Sequence, residues 1–445
     1  MRYPSWPRGR PGRPPGDRDF LAFWVSETTS LVGMELTHIV LPLVAILTLR
    51  AGPFQVGLVN AVLYAPALLF SLPVGVWLDR HRRRVGLLAV NGTRAVVVGL
   101  IPLAAVASVL TMPLLLATTF VLGALTVAFE VGSLSYLPTL VDRGYLATAN
   151  GRIQASFSLA AIAGPSLGGL LAGTFNPPVA LTATALGFAV SVGMLSAIRR
   201  PEPPPPEPHE ATPLGRAIRE GLRSVYADSV LRHLLTQSAV FNVFYNAIVV
   251  LFVVYVTHAL GLRPGQLGAV LGCGAVAALL AAVLTGRITH AVGLGRVLRV
   301  VTYGVCLSPL LMLIPRDRGP AALALLVAYQ AISGFGLVVW NINTLTLRQT
   351  VTPDRLLGRM NASYRMVLTG AVPVGALLGG GLGQFIGVHA ALVSVVLLLT
   401  TPILWTFFSP VYQVTRMPTG GIETMAETPP DTRRRAPAPP PCPTG

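Results

Sequence analysis

The chain has 445 residues, of which 53% are hydrophobic and only 11% are charged, and its mean hydropathy is +0.66. A soluble protein carries roughly a quarter charged residues, so this composition argues against an ordinary soluble enzyme and indicates a surface that mostly faces lipid. The net charge of +16 comes from 33 arginines and no lysine. These arginines recur in short groups between apolar runs, which argues against a nucleic-acid partner.

Twelve apolar runs follow one another, each close to the ~20 residues that a helix needs to cross a bilayer. The first run is too long for a signal-peptide core, so we expect it to stay as the first helix. The sequence therefore predicts an all-α integral membrane protein. Its spans are expected at 20–48, 54–78, 85–109, 113–137, 153–173, 177–198, 233–257, 266–290, 296–314, 320–343, 363–386 and 389–409.

The placement of arginine predicts the orientation. Arg94 lies inside a span, and Arg50, Arg263, Arg316 and Arg318 fall in odd-numbered loops, whereas the other arginines lie at the termini or beside even-numbered loops. Cytoplasmic loops carry an excess of positive charge, so both termini and the central loop are expected in the cytoplasm. We expect a multi-pass protein of the bacterial cytoplasmic membrane, surrounded by membrane lipid and acting as a monomer.

The chain divides into two helical bundles with three connecting or terminal segments. In the central loop, Leu214, Ile218, Leu222 and Val225 share one face after a proline run, which predicts a short amphipathic helix on the inner membrane surface. The Pro- and Thr-rich end of the chain is typical of a disordered tail. The predicted units are a cytoplasmic tail (1–19), a first bundle (20–198), the central loop (199–232), a second bundle (233–409) and a cytoplasmic tail (410–445).

The two bundles are related by an internal repeat. Sliding the sequence by 211 residues superposes one loop asparagine and several glycines, which are the positions where helices pack closely. Parallel repeats of six helices are typical of transporters that rock two bundles about a site at the midplane. The matched pairs are Gly75 with Gly286, Asn150 with Asn361, Gly164 with Gly375, Gly168 with Gly379, and Gly169 with Gly380.

The loop after the second helix carries a spaced Gly-Asp-Arg motif. The motif consists of Gly75, Asp79, Arg80, Arg83 and Arg84. It resembles the signature of the major facilitator superfamily, and the resemblance implies a fold of two six-helix bundles related by pseudo-two-fold symmetry, with this loop as an inner gate. The alternative is that the arginines only anchor the loop to the anionic inner leaflet. His290 replaces the acid in the second half, so we expect a one-sided gate.

The fifth helix carries a second motif, made of Gly164, Pro165, Gly168 and Gly169. It resembles a motif associated with exporters of this superfamily, although Ala160 stands where the family pattern has a glycine. Small residues let helices approach closely and slide, and a proline kinks the helix. A role in packing alone is the competing interpretation.

Further stretches resemble a narrower group. They are Ser30–Gly33 with Pro42, Ser135–Pro138, Ala149–Asn150 and Leu357–Asn361. Together they are similar to the bacterial drug-exporter branch that includes macrolide efflux proteins and the enterobactin exporter. This resemblance implies export but is silent on the substrate.

Ionisable groups inside spans are costly and are functional candidates by default. Glu27, Glu35 and His38 share one face of the first helix, and the superfamily architecture places this helix and that of Glu130 beside the central cavity. Arg94 is at a depth where it can pair with Glu130 or Glu27. Glu35 has only His38 as a nearby cation, so we expect it to be the leading proton carrier, with Glu130 second. The alternative is that these acids only fix helix packing.

The second half has amides where the first has acids, because Asn246 matches Glu35 and Asn341 matches Glu130 under the same offset. We therefore expect the second half to bind substrate, through Asn246, Tyr245, Asn341, Trp340 and Gln330.

The sequence thus predicts proton-coupled efflux of a drug-like or secondary-metabolite small molecule by alternating access. The acids favour a cationic or amphiphilic substrate, since a carboxylate compensates a desolvated cation. An importer or a lipid transporter of the same fold is the alternative, and a scaffold protein a more distant one. The scattered histidines and cysteines predict no metal site, and no nucleotide-binding or nucleophile motif appears, so we expect no cofactor, a proton gradient as the energy source, and no enzyme activity.

Overall fold

The computed structural model describes residues 18–79, 82–142, 145–200, 202, 223, 226, 228–314, 319–352 and 354–413. Within these ranges, twelve helical segments are long and apolar enough to cross a membrane. The predicted all-helical membrane fold is confirmed, and each predicted span overlaps one of these segments.

The helices of the first half begin and end close to their predicted bounds. Proline occupies the first turn of α4 and of α6, where a missing backbone N–H costs no hydrogen bond. The side chain of Asn176 caps α6 by accepting a hydrogen bond of 2.9 Å from the Val179 amide. The helices are α1 (Arg18–Leu43), α2 (Pro53–Asp79), α3 (Arg83–Val106), α4 (Met112–Leu140), α5 (Leu146–Thr174) and α6 (Pro177–Ser196).

The second half repeats this order. A short 3₁₀ turn, Ser308–Leu313, completes the ninth span after α9, and α12 and α13 together form the twelfth span. The helices are α7 (Ser229–Val254), α8 (Pro264–Val292), α9 (Leu294–Leu307), α10 (Pro320–Val351), α11 (Asp354–Phe385), α12 (Val388–Leu399) and α13 (Thr401–Phe408).

The 211-residue repeat extends to fine backbone detail. Helix α1 ends in a π-helical turn, Val44–Thr48, and α7 ends in an equivalent turn, Tyr255–Ala259. The loop after each turn contains one residue with a positive φ, 53° at Arg50 and 56° at Gly261. Glycine adopts this conformation freely, whereas arginine pays a steric cost, so the repeated backbone persists where the sequence no longer favours it.

Helix packing follows the same pseudo-two-fold relation. Helix α1 packs on α5 and α2 on α4, while α7 packs on α11 and α8 on α10. The two halves meet through two equivalent helix pairs, α5 with α8 and α11 with α2. The repeat therefore generates both the bundles and the contact between them.

Glycines make the contact between the halves possible. A Cβ on Gly169 would lie 2.6 Å from the Cα of Gly268, and a Cβ on Gly380 would lie 3.0 Å from the Cα of Gly57. The 211-residue offset converts one contact into the other, because Gly169 corresponds to Gly380 and Gly57 corresponds to Gly268. Both lie within about two helical turns of the loops that join α1 to α2, α5 to α6, α7 to α8 and α11 to α12. We call this side of the molecule the odd-loop end, and the halves are in contact there.

Two predicted boundaries differ from the structure. Helix α7 begins at Ser229, inside the predicted central loop, because the Asp228 side chain accepts a 2.9 Å hydrogen bond from the Leu231 amide and caps the helix. The segment predicted as a disordered tail begins with an ordered 3₁₀ turn, Pro410–Gln413. Val411 is buried in this turn, and the Tyr412 hydroxyl accepts a 2.5 Å hydrogen bond from Gln237. Apart from Arg223, the predicted amphipathic helix at 214–225 lies outside the described residues.

Candidate functional site

A cavity of about 300 Å³ lies between the two halves. Helices α1, α2 and α5 line it from the first half, and α7, α8 and α10 from the second. Its polar and aromatic lining residues are His38, Asn60, Tyr64, Tyr245, Asn246, Phe252, Tyr329 and Gln330. Because the halves are in contact at the odd-loop end, a rocking motion about this cavity would expose it to opposite sides of the membrane in turn.

A chain of three ionisable side chains runs along the first-half wall of the cavity. His38 Nδ1 lies 3.2 Å from a carboxylate oxygen of Glu35, and His38 Nε2 lies 3.3 Å from the Tyr64 hydroxyl. The Glu35 and His38 side chains are 18% and 25% exposed, so both are largely shielded, and His38 lines the cavity whereas Glu35 lies behind it. The sequence paired Glu35 with His38 but missed Tyr64, which lies on α2.

The helix-5 motif packs directly on this chain. A Cβ on Gly164 would lie 2.4 Å from the Cβ of Glu35, so α5 can touch α1 only because residue 164 has no side chain. Pro165 lines the cavity, Gly168 packs on the next turn of α1, and Gly169 contacts α8 of the other half. One short segment of α5 therefore contacts Glu35, the cavity and the opposite half.

Glu27 and Arg94 belong to a separate buried group. Glu27 is 7% exposed and accepts a 2.7 Å hydrogen bond from Ser133, and Arg94 is 1% exposed. The Arg94 guanidinium donates to Ser30 at 2.8 Å and to Asn91 at 2.9 Å, and it stacks 4.0 Å from the centre of the Phe188 ring. Arg94 thus binds hydroxyl, amide and aromatic groups.

Glu130 has a partner that the sequence did not identify. Arg365 of α11 donates a hydrogen bond to Glu130 of α4, so this ion pair joins the two halves. Glu130 makes its direct ion pair with Arg365 and not with Arg94 as predicted, although Arg94 and Glu130 still attract each other electrostatically. In the ion pair, the Glu130 and Arg365 side chains are 45% and 65% exposed. The sequence missed Arg365 because its partner is 235 residues away, on the other bundle.

The predicted gate motif lies at the opposite end from the contact between the halves. Gly75 and Asp79 lie on the last turns of α2, and Arg80 lies outside the described residues. The Glu202 carboxylate accepts hydrogen bonds of 2.6 and 3.1 Å from the Arg83 and Arg84 amides and so caps the N-terminus of α3.

The two arginine side chains donate to backbone carbonyls of neighbouring helices. The Arg83 guanidinium donates to the Ser135 carbonyl of α4, and the Arg84 guanidinium to the carbonyls of Leu195 and Ser196 at the end of α6. Cations near the last carbonyls of a helix complement its dipole. These bonds connect α3, α4 and α6 within the first half.

Comparison with known proteins agrees with this architecture. The sequence matches the Major Facilitator Superfamily over residues 23–350 and 238–438. The chain belongs to this superfamily. It is 30% identical over 382 residues to the enterobactin exporter EntS of Citrobacter koseri, a match that covers 82% of this chain and 85% of the relative. It is 29% identical over 377 residues to EntS of Salmonella choleraesuis, with the same coverage of both chains.

Solved structures show the same fold at low sequence identity. The nucleoside transporter NupG superposes with a TM-score of 0.68 and 11% identity, covering 88% of this chain and 98% of that one. A bacterial homologue of the human lysosomal transporter Spinster, in an inward-facing and unoccupied conformation, gives a TM-score of 0.66 and 14% identity over 89% of this chain and 97% of that one. This chain is thus a multi-pass membrane transporter of the superfamily, acting on a small molecule.

In this transporter, three of the five predicted substrate residues meet in the cavity. Tyr245, Asn246 and Gln330 line it, whereas Trp340 lines a separate space of about 30 Å³ beside Ser238. Asn341 has an exposed side chain and does not line the cavity. Tyr329, Phe252, Asn60 and Tyr64 also line the cavity. Helical periodicity alone does not separate aromatic residues of a binding site from ordinary packing residues.

Proposed function

We propose that this transporter exports a small molecule in exchange for protons, with Glu35 and His38 as the proton site. The observation that carries the proposal is the hydrogen-bonded chain of Glu35, His38 and Tyr64 at the cavity wall. A carboxyl group in a largely shielded site, with one imidazole beside it, can take up and release a proton at modest cost. No bond in the substrate needs to be made or broken, so the protein transports without acting as an enzyme.

The position of the proton site supports coupling to the rocking motion. Glu35 is in contact with α5 through Gly164, and His38 is bonded to α2 through Tyr64. Helices α5 and α2 also make the most extensive contacts with the second half. A change of charge at Glu35 therefore acts on both contacts between the halves, which is what a coupled carrier requires.

The direction of transport is supported by the curated relatives and by the helix-5 motif. Relatives at 29–30% identity are named enterobactin exporters, and the motif made of Gly164, Pro165, Gly168 and Gly169 resembles that of exporters. The folds of NupG and of the Spinster homologue do not decide direction, because likeness at 11–14% identity reflects architecture. By the positive-inside rule, the termini lie in the cytoplasm. Export therefore runs from the end of the molecule that carries the termini to the odd-loop end.

The proposal is tested by expressing the protein in a bacterium that lacks its main efflux pumps. Growth inhibition and accumulation are measured for a panel of toxic compounds, with and without a proton uncoupler. We expect at least one compound to be excluded from expressing cells in an uncoupler-sensitive manner, and Glu35→Gln to abolish the exclusion. Glu27→Gln is the matched control, since an amide oxygen still accepts the Ser133 hydrogen bond. If no compound in a broad panel shows uncoupler-sensitive efflux, the proposal fails.

A further inference from the structure

The two halves contribute unequally to the cavity. Under the 211-residue offset, His38 and Tyr64 of the first half correspond to Val249 and Ala275 of the second, and all four residues line the cavity. The second half has therefore lost a phenol ring and an imidazole at positions that still face the same space. This loss leaves room beside α8 that the repeat would otherwise fill.

The shape of that room is set by small and aromatic residues. On α8, Ala275 and Ala278 line the cavity with small side chains beside Leu271, and Gly274 packs against Gln330 of α10. Phe252 and Tyr329 stand against each other with ring centres 5.6 Å apart, and both line the cavity. Small side chains beside aromatic rings leave space for a planar ring, and aromatic rings favour offset or edge contacts with another ring.

Two polar groups in this part of the cavity lack a protein partner. The Gln330 amide and the Tyr245 hydroxyl make no hydrogen bond to any of the described residues, although both side chains line the cavity. Neighbouring polar groups are engaged: Asn246 donates at 2.8 Å to the Asn242 carbonyl. An amide and a phenol offer both donors and acceptors to a molecule that enters the cavity.

The lining offers little to a charged substrate. Among the described cavity-lining residues there is no arginine, aspartate or glutamate, and the imidazole of His38 is already bonded to Glu35 and Tyr64. The nearest acids already have partners, since Glu35 is bonded to His38 and Glu130 to Arg365. A charge moved out of water without a counter-ion is costly, so these walls favour a neutral molecule over either ion. The lining residues therefore favour a neutral substrate, whereas the acidic residues in the sequence had suggested a cationic one.

We propose that the second-half wall, formed around Ala275, Gln330, Tyr245 and Tyr329, binds an uncharged planar aromatic compound that carries hydrogen-bond donors and acceptors. The proposal rests on the proposed function, because it assigns a substrate class to that same cavity. The ring of the compound packs against the small side chains of α8, and Gln330 and Tyr245 form hydrogen bonds with its polar substituents.

The test is equilibrium dialysis of the purified full-length protein in lipid nanodiscs, with empty nanodiscs to correct for partitioning into lipid. The three probes share one ring system. The neutral probe is 7-amino-4-methylcoumarin, the anion is its 3-acetate, and the cation is an amide of that acid that carries a trimethylammonium group in place of the carboxylate. We expect the neutral coumarin to bind about tenfold tighter than either charged probe.

Three variants test where the site lies. Ala275→Tyr restores the residue of the first half and fills the space, so binding of the neutral coumarin should weaken at least about tenfold. Val276→Tyr adds the same ring one residue along α8, where Val276 is 60% exposed on the outer face, and should leave binding unchanged. Gln330→Leu keeps the side-chain volume while removing the amide, and should weaken binding severalfold.

The outcomes separate this proposal from the proposed function. A charged probe that binds as tightly as the neutral one, no saturable binding of the neutral probe, or an Ala275→Tyr variant that binds like the wild type would each overturn the substrate class and its site. Dialysis uses no proton gradient. A protein that binds the neutral coumarin as expected and yet drives no uncoupler-sensitive efflux would refute the proposed function alone.

Discussion

The repeat supplies a matched pair of substitutions that separates packing from coupling. Gly164 contacts Glu35, and its equivalent Gly375 contacts Asn246 and Val243 in the other half. A Cβ at residue 164 would lie 2.4 Å from the Glu35 Cβ, and one at residue 375 would lie 2.2 Å from the Val243 carbonyl oxygen. Each alanine therefore falls about 1 Å inside the usual carbon contact of about 3.5 Å, and the helices must separate by a similar amount.

Overpacking of this size costs about 1–3 kcal/mol in a well-packed interior. We expect Gly164→Ala and Gly375→Ala to lower the thermal unfolding temperature by similar amounts, because each separates one equivalent pair of helices. Only Gly164→Ala also displaces a proton-carrying side chain. It should reduce uncoupler-sensitive efflux at any substrate concentration, whereas Gly375→Ala, which displaces the cavity-lining Asn246, should raise the substrate concentration needed but retain uncoupler-sensitive efflux at saturation.

The assay measures both properties in one preparation, as unfolding temperature in detergent and as efflux rate per folded molecule in cells. Equal loss of efflux in the two variants would mean that helix packing alone explains the motif. Full proton coupling in Gly164→Ala would show that the contact with Glu35 carries no function, and would refute the reasoning.

Three further predictions concern the other polar groups. Arg94→Met removes the guanidinium that bonds Ser30 and Asn91 and leaves the buried Asn91 oxygen unpaired, so it should destabilise the protein by about 1–3 kcal/mol, and an unchanged unfolding temperature would contradict the burial seen here. Glu130→Arg should lower efflux because it places two cations together, and the additional change Arg365→Glu should restore efflux. Growth assays in the pump-deficient host measure this rescue, and its absence would mean that the ion pair does not contribute to transport. Tyr412→Phe removes the hydroxyl hydrogen bonds to Gln237 and Thr302, so thermal unfolding should show that the free energy of unfolding falls by about 1–3 kcal/mol. An unchanged free energy of unfolding would mean that these hydrogen bonds do not stabilise the turn.

The sequence predicted the scaffold well because hydropathy and the spacing of glycines are local signals. The offset that superposed Gly164 on Gly375 also relates their contacts, since close helix packing needs a glycine at both places. The pairing of Glu35 with His38 was also accessible, because residues three apart share one face of a helix.

The partners on other helices could not be predicted from one sequence. Tyr64 reaches His38 from α2, and Arg365 reaches Glu130 across the two halves, so neither contact leaves a periodic signal. Arg94 was expected to seek a carboxylate. Its side chain instead bonds Ser30 and Asn91, whose role depends on how α1 and α3 pack.

The central claim is that Glu35 carries the coupled proton. The most direct measurement is the movement of protons in proteoliposomes, recorded with an internal pH-sensitive dye when a transported compound is added at zero membrane potential. We predict a substrate-driven pH change with the wild type and with Glu27→Gln, and none with Glu35→Gln although the compound still binds. A pH change of wild-type size in Glu35→Gln would contradict it.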